Sequence, residues 1–167
     1  MSGDDPKAPR PRVEGRALHD AAAEVPDAIE VLPPTTLPAV TPEELSKLPV
    51  FADLPVDARA WFAQHATHRR YAPGARVFEP IDPARDLFVV LDGVLQLYFE
   101  LGGQHLLVST HTHGSVTGML PFSRMTHYNL RGVAAGELRL VSMDRDRFPE
   151  LLRLSPEIGR ASCRERV

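Results

Sequence analysis

Two glycines four residues apart, Gly114 and Gly118, mark the segment whose residue types point most directly to ligand binding. An apolar stretch at 119–122 follows them, and a polar stretch then leads back into strand-forming residues. Glycine tolerates positive φ angles, so a glycine just before a short helical turn can leave backbone N–H groups pointing outward. Such groups bind anions. The segment therefore predicts an anion-binding turn, and Arg124 lies close enough along the chain to cover a bound anion.

Histidines form the second group of residues with metal-binding chemistry. His111 and His113 are two residues apart, so on one strand they would face the same side and chelate a metal together. The further ligands available are His105, Glu79, Glu100 and His127. This set is incomplete for the known iron and manganese geometries. We therefore assign no metal site and keep a metal-dependent, cupin-like enzyme as an open alternative.

Motifs of enzyme active sites are missing from the sequence. It has no nucleophile elbow, no phosphate-binding Gly-x-x-x-x-Gly-Lys loop and no His-Glu-x-x-His motif. Asp144 and Asp146 lie where a strand gives way to a helix, which favours a helix cap over an acid–base pair. The sequence therefore predicts a protein that is not an enzyme and uses no cofactor.

Composition limits the partners and the compartment. The chain has 167 residues, 43% of them hydrophobic, with a net charge of −3 and a pI near 6.2. These values suit one domain and give no basic surface for DNA. The single cysteine, Cys163, excludes an internal disulfide framework. Since no apolar run approaches the roughly 20 residues of a membrane helix and no signal peptide is evident, we predict a cytoplasmic protein without a membrane partner.

Helical signals flank the centre of the chain. Half of the 16 prolines lie in residues 1–42, which predicts a disordered tail there. Thr41 suits an N-cap before Pro42 and Glu44, and a second helix is expected from Val56 to about Ala66. Apolar anchors are expected at Phe51 and Leu54 between these helices. A short helix is expected at 146–152, and another is expected to begin at 156–159.

Between the helices the hydrophobic period is two, which indicates many short strands. The expected strands are 68–71, 76–79, 87–91, 94–100, 105–110, 130–134 and 138–144. Asp92-Gly93 and Gly102-Gly103 are typical of tight hairpins. The alternating side chains expected to point inward are Phe88, Val90, Leu95, Leu97, Phe99, Leu106 and Val108. The pattern predicts a small antiparallel sandwich or jelly roll.

Three motifs in this region carry a resemblance to a known family. They are the Pro-Gly turn within 71–78, the apolar run and glycine within 87–95, and the Gly114/Gly118 pair. Together they resemble the cyclic nucleotide-binding domain of regulators of the CRP/FNR type. The resemblance implies a mainly β fold with flanking helices, an antiparallel jelly-roll-like β-roll, over residues 43–158. Residues 159–167 have no apolar repeat and are interpreted as an atypical, truncated tail.

The resemblance also shows where this chain departs from the family. The family places a ribose-binding Glu after the second glycine, where this chain has Met119, and its phosphate-binding Arg falls near Tyr128. Arg131 would face away from the pocket if Leu130 faced the core, so Arg124 is the better substitute. The predicted ligand-binding residues are Gly114, Gly118, Met119, Leu120, Arg124, Thr126 and Tyr128. Cyclic nucleotides are expected to bind weakly or not at all.

The predicted function is a regulatory sensor domain in bacterial signal transduction. The run 118–126 resembles the variant cassette of sensor domains that precede histidine-kinase modules. The resemblance implies a small anionic ligand or nucleotide, and a fused or separate effector of the histidine-kinase kind, with no DNA-binding region in this chain. The alternative is a protein-interaction module without a ligand, in which Met119, Leu120 and Phe122 fill the former pocket.

Overall fold

A computed structural model describes residues 32–120 and 123–155 of the chain. The strands in this part are β1 (Thr35–Thr36), β2 (Thr67–Tyr71), β3 (Arg76–Phe78), β4 (Asp86–Asp92), β5 (Leu95–Leu101), β6 (Gln104–His111), β7 (Val116–Gly118), β8 (Arg131–Ala134) and β9 (Leu138–Asp144). The helices are α1 (Pro42–Ser46), α2 (Pro49–Ala52), α3 (Val56–His65) and α4 (Phe148–Leu154), the last preceded by a 3-10 turn at Arg145–Arg147.

The strands form two antiparallel sheets that face each other. The first has the order β1-β2-β9-β4-β7 and the second the order β3-β8-β5-β6. Every strand pair in both sheets is antiparallel. Three helices lie between β1 and β2 in the chain, and α4 follows β9. The predicted mainly β, jelly-roll-like fold with flanking helices is therefore confirmed.

The continuous apolar run within β4 is explained by the burial of both faces of the strand. Leu87, Val89 and Leu91 pack with the helices on the outer face of the first sheet, in a core that also contains Phe62. The residues between them point into the space between the sheets, where they join a second core. Since successive side chains of a strand point to opposite faces, both faces of β4 need apolar residues.

The predicted helix signals correspond to real caps and anchors. Thr41 Oγ1 accepts a hydrogen bond from the Glu44 N–H at 3.1 Å and so caps α1. Phe51 and Leu54 are buried under the helices. Asp144 Oδ1 accepts a hydrogen bond from the Asp146 N–H at 2.8 Å, which confirms the helix-cap reading of this acidic pair.

The folded unit begins earlier than the expected boundary after residue 42. Strand β1 pairs with Arg69 and Arg70 of β2, and Val40 is buried in the core. The sequence prediction missed this because a two-residue strand among prolines has no readable period. Three predictions lie outside the described residues and stay predictions: the part of the disordered tail at 1–31, the helix expected to begin at 156–159 and the atypical tail at 159–167.

One of the two predicted hairpins is confirmed and the other is wrong. Gly102 and Gly103 have φ angles of 59° and 79° and join β5 to β6 in a two-residue turn. The Asp92-Gly93 pair instead carries the chain from one sheet to the other, since β4 and β5 do not pair. Gly93 has a φ of 86°, and a side chain there would collide with the Glu137 carbonyl oxygen. The glycine is therefore required by a close backbone approach and not by a hairpin.

The prediction of inward-facing side chains is right for the first half of the β5–β6 hairpin and wrong for its end. Leu95 and Leu97 are buried, but Phe99, Leu106 and Val108 are 41%, 44% and 55% exposed. The physical reason is that β8 pairs with β5 only from Leu95 to Tyr98. The end of the hairpin extends past its neighbouring strand, and alternation alone does not reveal where a sheet stops.

Candidate functional site

The two glycines of the predicted anion-binding turn lie at the ends of a short strand. Gly114 has a φ of 81° in the turn before β7, and its N–H donates to the Val90 carbonyl oxygen at 2.9 Å. Gly118 ends β7 with a φ of 85°. A Cβ atom at Gly118 would lie 2.6 Å from both the Asp86 carbonyl oxygen and the Phe88 ring. The strand β7 is thus held tightly against β4.

Met119, at the family's Glu position, is a core residue. Its exposed fraction is 0%, and its side chain belongs to the core between the two sheets. Its N–H donates to the Asp86 carbonyl oxygen at 2.8 Å, so this amide is already engaged within the protein. Leu120 points elsewhere, since it packs against the core under the helices. The structure therefore separates these two neighbouring residues of the predicted site, and Phe122 lies outside the described residues.

Tyr128, near the family's Arg position, fills the same interior. It is 7% exposed and stacks on Phe78 with 4.4 Å between ring centroids, while Phe88 lies 6.3 Å away. Its hydroxyl donates to the Asp86 carbonyl oxygen at 3.1 Å and accepts from the Asp86 N–H at 3.2 Å. Burial, with added repulsion from the Asp86 and Asp82 carboxylates, raises the pKa of Tyr128 to about 12.

This raised pKa predicts a loss of stability in alkali. Below pH 10 both the folded and the unfolded Tyr128 keep the proton; between pH 10 and about 12 only the unfolded chain releases it, so stability falls as pH rises. Tyr128→Phe should cost about 1–2 kcal/mol at pH 8, because the Asp86 backbone loses its hydroxyl partner. Above pH 10 the variant should lose stability less steeply than the wild type.

Urea unfolding at a series of pH values between 8 and 12 measures both effects. Tyr98→Phe serves as the matched control for the cost at pH 8, since the hydroxyl of Tyr98 donates to Gln96 Oε1 and not to the main chain of Asp86. Equal alkaline slopes for Tyr128→Phe and the wild type would show that Tyr128 is not buried as described.

Arg124 and Thr126 lie on the surface beyond this interior. Both side chains are exposed. The Thr126 carbonyl oxygen accepts a hydrogen bond from the Ala84 N–H at 2.9 Å, and the Met125 carbonyl oxygen accepts one from Arg145 at 3.3 Å. These bonds hold the backbone of the two residues that follow Arg124, whose own side chain is exposed. Arg124 remains a candidate anion ligand. Thr126 contacts Ala84 through its backbone carbonyl oxygen.

Asp86 is a residue that the sequence analysis missed. Its backbone holds both ends of the cassette, because it bonds to the Met119 N–H and to the Tyr128 hydroxyl. Burial raises the pKa of its carboxyl group, and the Asp144 carboxylate adds to the rise while Arg69 and Arg85 oppose it. Asp144 is its direct neighbour on β9. No sequence signal marks this role, since the contacts are made by the main chain.

Arg131 faces away from this interior, as predicted. Its Nε donates to Glu79 Oε2 at 2.8 Å, and its Nη1 lies 2.7 Å from His105 Nε2 on the outer side of the second sheet. An arginine held by two partners there cannot also serve a ligand between the sheets.

The histidine pair does not form the shared face that its spacing suggested. Strand β6 ends at His111, and His113 lies in the following turn, where its Nδ1 is 2.6 Å from the Leu91 carbonyl oxygen. His111 Nε2 is 3.1 Å from Ser109 Oγ. Within residues 32–120 and 123–155, no group of three histidine, cysteine, aspartate or glutamate side chains is placed to hold a metal ion. In the same residues, no helix is long and apolar enough to cross a membrane.

Comparisons with solved structures agree with this architecture. The N-terminal domain of a transcriptional regulator from Streptomyces coelicolor A3(2) matches with a TM-score of 0.59 and 23% identity over 72% of this chain and 87% of that one. The catabolite activator protein of Thermus thermophilus matches with a TM-score of 0.59 and 22% identity over 67% of this chain and 53% of that one. A protein kinase A regulatory subunit from Trypanosoma cruzi matches with a TM-score of 0.60 and 17% identity over 71% of this chain and 43% of that one.

These likenesses show the fold, and the chain spans about half the length or less of the last two proteins. A search of curated proteins found no match. The family model described as cyclic nucleotide-binding domain matches residues 68–155, which is more than half of the chain. The protein therefore belongs to the cyclic nucleotide-binding domain family.

Proposed function

We propose that this chain is a regulatory sensor domain of bacterial signal transduction that binds cyclic AMP and cyclic GMP weakly or not at all. The observation that carries the proposal is the complete burial of Met119 at the position of the family's ribose-binding Glu. The side chain is packed into the core, and its N–H is bonded to Asp86. Both the carboxylate and the backbone donor that a nucleotide would meet at this position are therefore missing.

The second recognition side chain is absent as well. Tyr128, near the position of the family's phosphate-binding Arg, is stacked on Phe78 and bonded to the main chain of Asp86. Loss of a charge-assisted hydrogen bond costs about 1.5–3 kcal/mol, which is a ten- to hundredfold loss of affinity. When both contacts are lost, the two free-energy costs add, so the two losses of affinity multiply. An ordinary cyclic nucleotide would also have to displace aromatic side chains that already pack against each other.

A ligand of different chemistry suits the surface that remains. Arg124 is exposed beside the cassette, whereas Met119 is fully buried and Leu120 packs against the core under the helices. We infer that a less polar anion would approach from the Arg124 side. The Trypanosoma cruzi relative offers a parallel, since it is described as cyclic AMP-independent and bound to guanosine. Members of this fold therefore include one that is bound to a nucleoside.

The output of the domain is proposed to pass through an effector. The Streptomyces coelicolor relative is the N-terminal domain of a transcriptional regulator. The match to the Thermus thermophilus relative covers 53% of that protein, so about half of it lies outside the shared domain. By this analogy the sensor works with a fused or separate signalling module, of which a histidine kinase is one kind.

Calorimetric titration with cyclic AMP and cyclic GMP tests the proposal. We expect dissociation constants weaker than about 1 μM, which corresponds to a binding free energy weaker than about −8.2 kcal/mol. Arg124→Ala should abolish any weak binding of an anionic nucleotide, whereas Arg153→Ala, an exposed arginine on α4, should leave it unchanged. Sub-micromolar binding of either nucleotide would overturn the proposal.

A protein-interaction module without a ligand is the second candidate function. The filled interior around Met119 and Tyr128 favours it. So does the β5–β6 hairpin, whose exposed apolar side chains are Phe99, Leu101, Leu106, Leu107 and Val108. Contiguous exposed apolar surface is typical of contact sites for other proteins. Titration with a panel of nucleosides and nucleotides separates the two functions, because the interaction module should bind none of them.

A further inference from the structure

Strand β6 lies at one end of the second sheet, where β5 is its neighbour on one side. In the part of the chain that the structure describes, no strand pairs with its other side. None of the eight residues of β6 is buried. The backbone N–H and C=O groups along this edge can therefore pair with a further strand.

This edge lacks the charges with which proteins ordinarily prevent such pairing. No lysine, arginine, aspartate or glutamate occurs between Glu100 and Arg124, although these residues make up 25% of the chain. Three consecutive exposed apolar side chains stand at the centre of β6, namely Leu106, Leu107 and Val108. A charged partner would gain nothing from an uncharged edge, whereas a second copy of β6 would meet it without opposing like charges.

A bulge at the centre of β6 decides how a second copy can pair. On one side of the bulge Leu97 is opposite Ser109, and on the other side Tyr98 is opposite Leu107. Val108 therefore has no residue opposite it on β5. Residues opposite each other share a face, and side chains alternate along β5. The positions of β6 on the same face as the buried Leu97 are consequently 104, 106, 109 and 111.

These four positions are symmetric about the midpoint between Leu107 and Val108. A two-fold axis at this midpoint sets the first position opposite the last and the second opposite the third, so each opposing pair shares a face. It also sets Leu107 of each copy opposite Val108 of the other, which is an apolar pair. An axis through Leu107 would instead set His105 opposite Ser109, and these two residues lie on different faces. The bulge thus selects one register.

We propose that β6 pairs antiparallel with β6 of a second copy of this chain, about a two-fold axis between Leu107 and Val108. The two four-stranded sheets then form one continuous sheet, and both copies use the same patch. One strand edge buries less than the roughly 800 Å² per partner of an ordinary stable interface, so the dimer is weak and reversible. The dimer gives the interaction module, the second candidate function, its partner. It involves no residue of the interior, so its failure leaves the nucleotide titrations unaffected.

Sedimentation equilibrium of the full chain from about 1 to 300 μM tests for this dimer. The wild type should change from monomer to dimer across this range. Leu107→Lys and Val108→Glu each bring two like charges together beside the axis and should weaken association at least about tenfold. Val56→Glu on α3 is the matched control, since Val56 is 64% exposed and Val108 is 55% exposed. It should dimerise as the wild type does.

A wild type that stays monomeric throughout this range would assign the edge to a different partner and overturn the proposal. Equal association of Val108→Glu and the wild type would place a dimer contact elsewhere, with the same consequence.

An equimolar mixture of Leu107→Lys and Val108→Glu tests the register. In a mixed dimer the new ammonium group lies opposite the new carboxylate, and the apolar pair remains on the other side of the axis. The mixture should therefore recover the dimer, and added salt should weaken it again. The reversed pair, Leu107→Glu with Val108→Lys, repeats the test where far-UV circular dichroism shows that a variant is unfolded. Folded variants that stay monomeric when mixed would show that the two strands do not pair in this way.

Discussion

Gly118→Ala is expected to lower the free energy of unfolding by about 3 kcal/mol or more, of which positive φ accounts for roughly 1–2 kcal/mol. The remainder comes from a collision. The new methyl group would lie 2.6 Å from the Asp86 carbonyl oxygen and from the Phe88 ring. The main chain has little room to retreat, since the next amide, that of Met119, is bonded to the same carbonyl oxygen.

Gly103→Ala is the matched control for this prediction. Gly103 has a φ of 79°, close to that of Gly118, but a methyl group there would meet no atom within 4 Å. It should therefore cost only the conformational penalty of roughly 1–2 kcal/mol. Urea unfolding at neutral pH compares the two variants with the wild type. Equal losses would show that β7 does not press against β4 and that Gly118 serves only the backbone angle.

Local signals in the sequence predicted most of the secondary structure. Thr41 caps α1 as its type and spacing suggested, and Gly102 and Gly103 form the turn that a glycine pair favours. These features depend on residues within four positions of each other, so a single sequence contains the relevant information. The short strand β1 is the exception among the elements, because its existence depends on a partner, β2, more than thirty residues away along the chain.

Features that depend on distant contacts were not predictable in this way. The sequence has the same Asp-Gly signal whether the chain turns back beside β4 or crosses to the other sheet, and only the pairing of β4 and β5 with strands of different sheets distinguishes the two. The exposed end of the β5–β6 hairpin is similar, since Phe99 and Leu106 have the alternation of inward residues. What differs is that β8 does not extend beside this part of β5, and that is a property of the whole sandwich.

The candidate site was predicted in outline only. The two glycines singled out by the resemblance, Gly114 and Gly118, lie before and at the end of β7, and both have a positive φ. The resemblance did not show that Met119 and Leu120, adjacent in sequence, enter two different cores. Nor did it show that the main chain of Asp86 holds both ends of the cassette.

Met119→Glu is expected to lower the free energy of unfolding by about 3–5 kcal/mol at pH 7, as for an uncompensated buried charge. The carboxylate would replace a fully buried thioether beside Phe88 and Tyr128, with no cation among the members of this core. Met119→Gln is the control, since it has similar size and remains neutral. Its cost should be that of a buried amide, about 1–3 kcal/mol.

The pH dependence of Met119→Glu identifies the cause of the loss. Burial should raise the pKa of the new carboxyl group above the ordinary value of about 4.3. A carboxyl group with a raised pKa is penalised only while it is ionised, so the deficit relative to wild type should shrink as pH falls from 7 towards 5. The deficit of Met119→Gln should stay constant over the same range. If Met119→Glu instead keeps wild-type stability and gains affinity for cyclic AMP, the side chain at 119 faces a ligand pocket. The inference that protein side chains fill the interior would then be wrong.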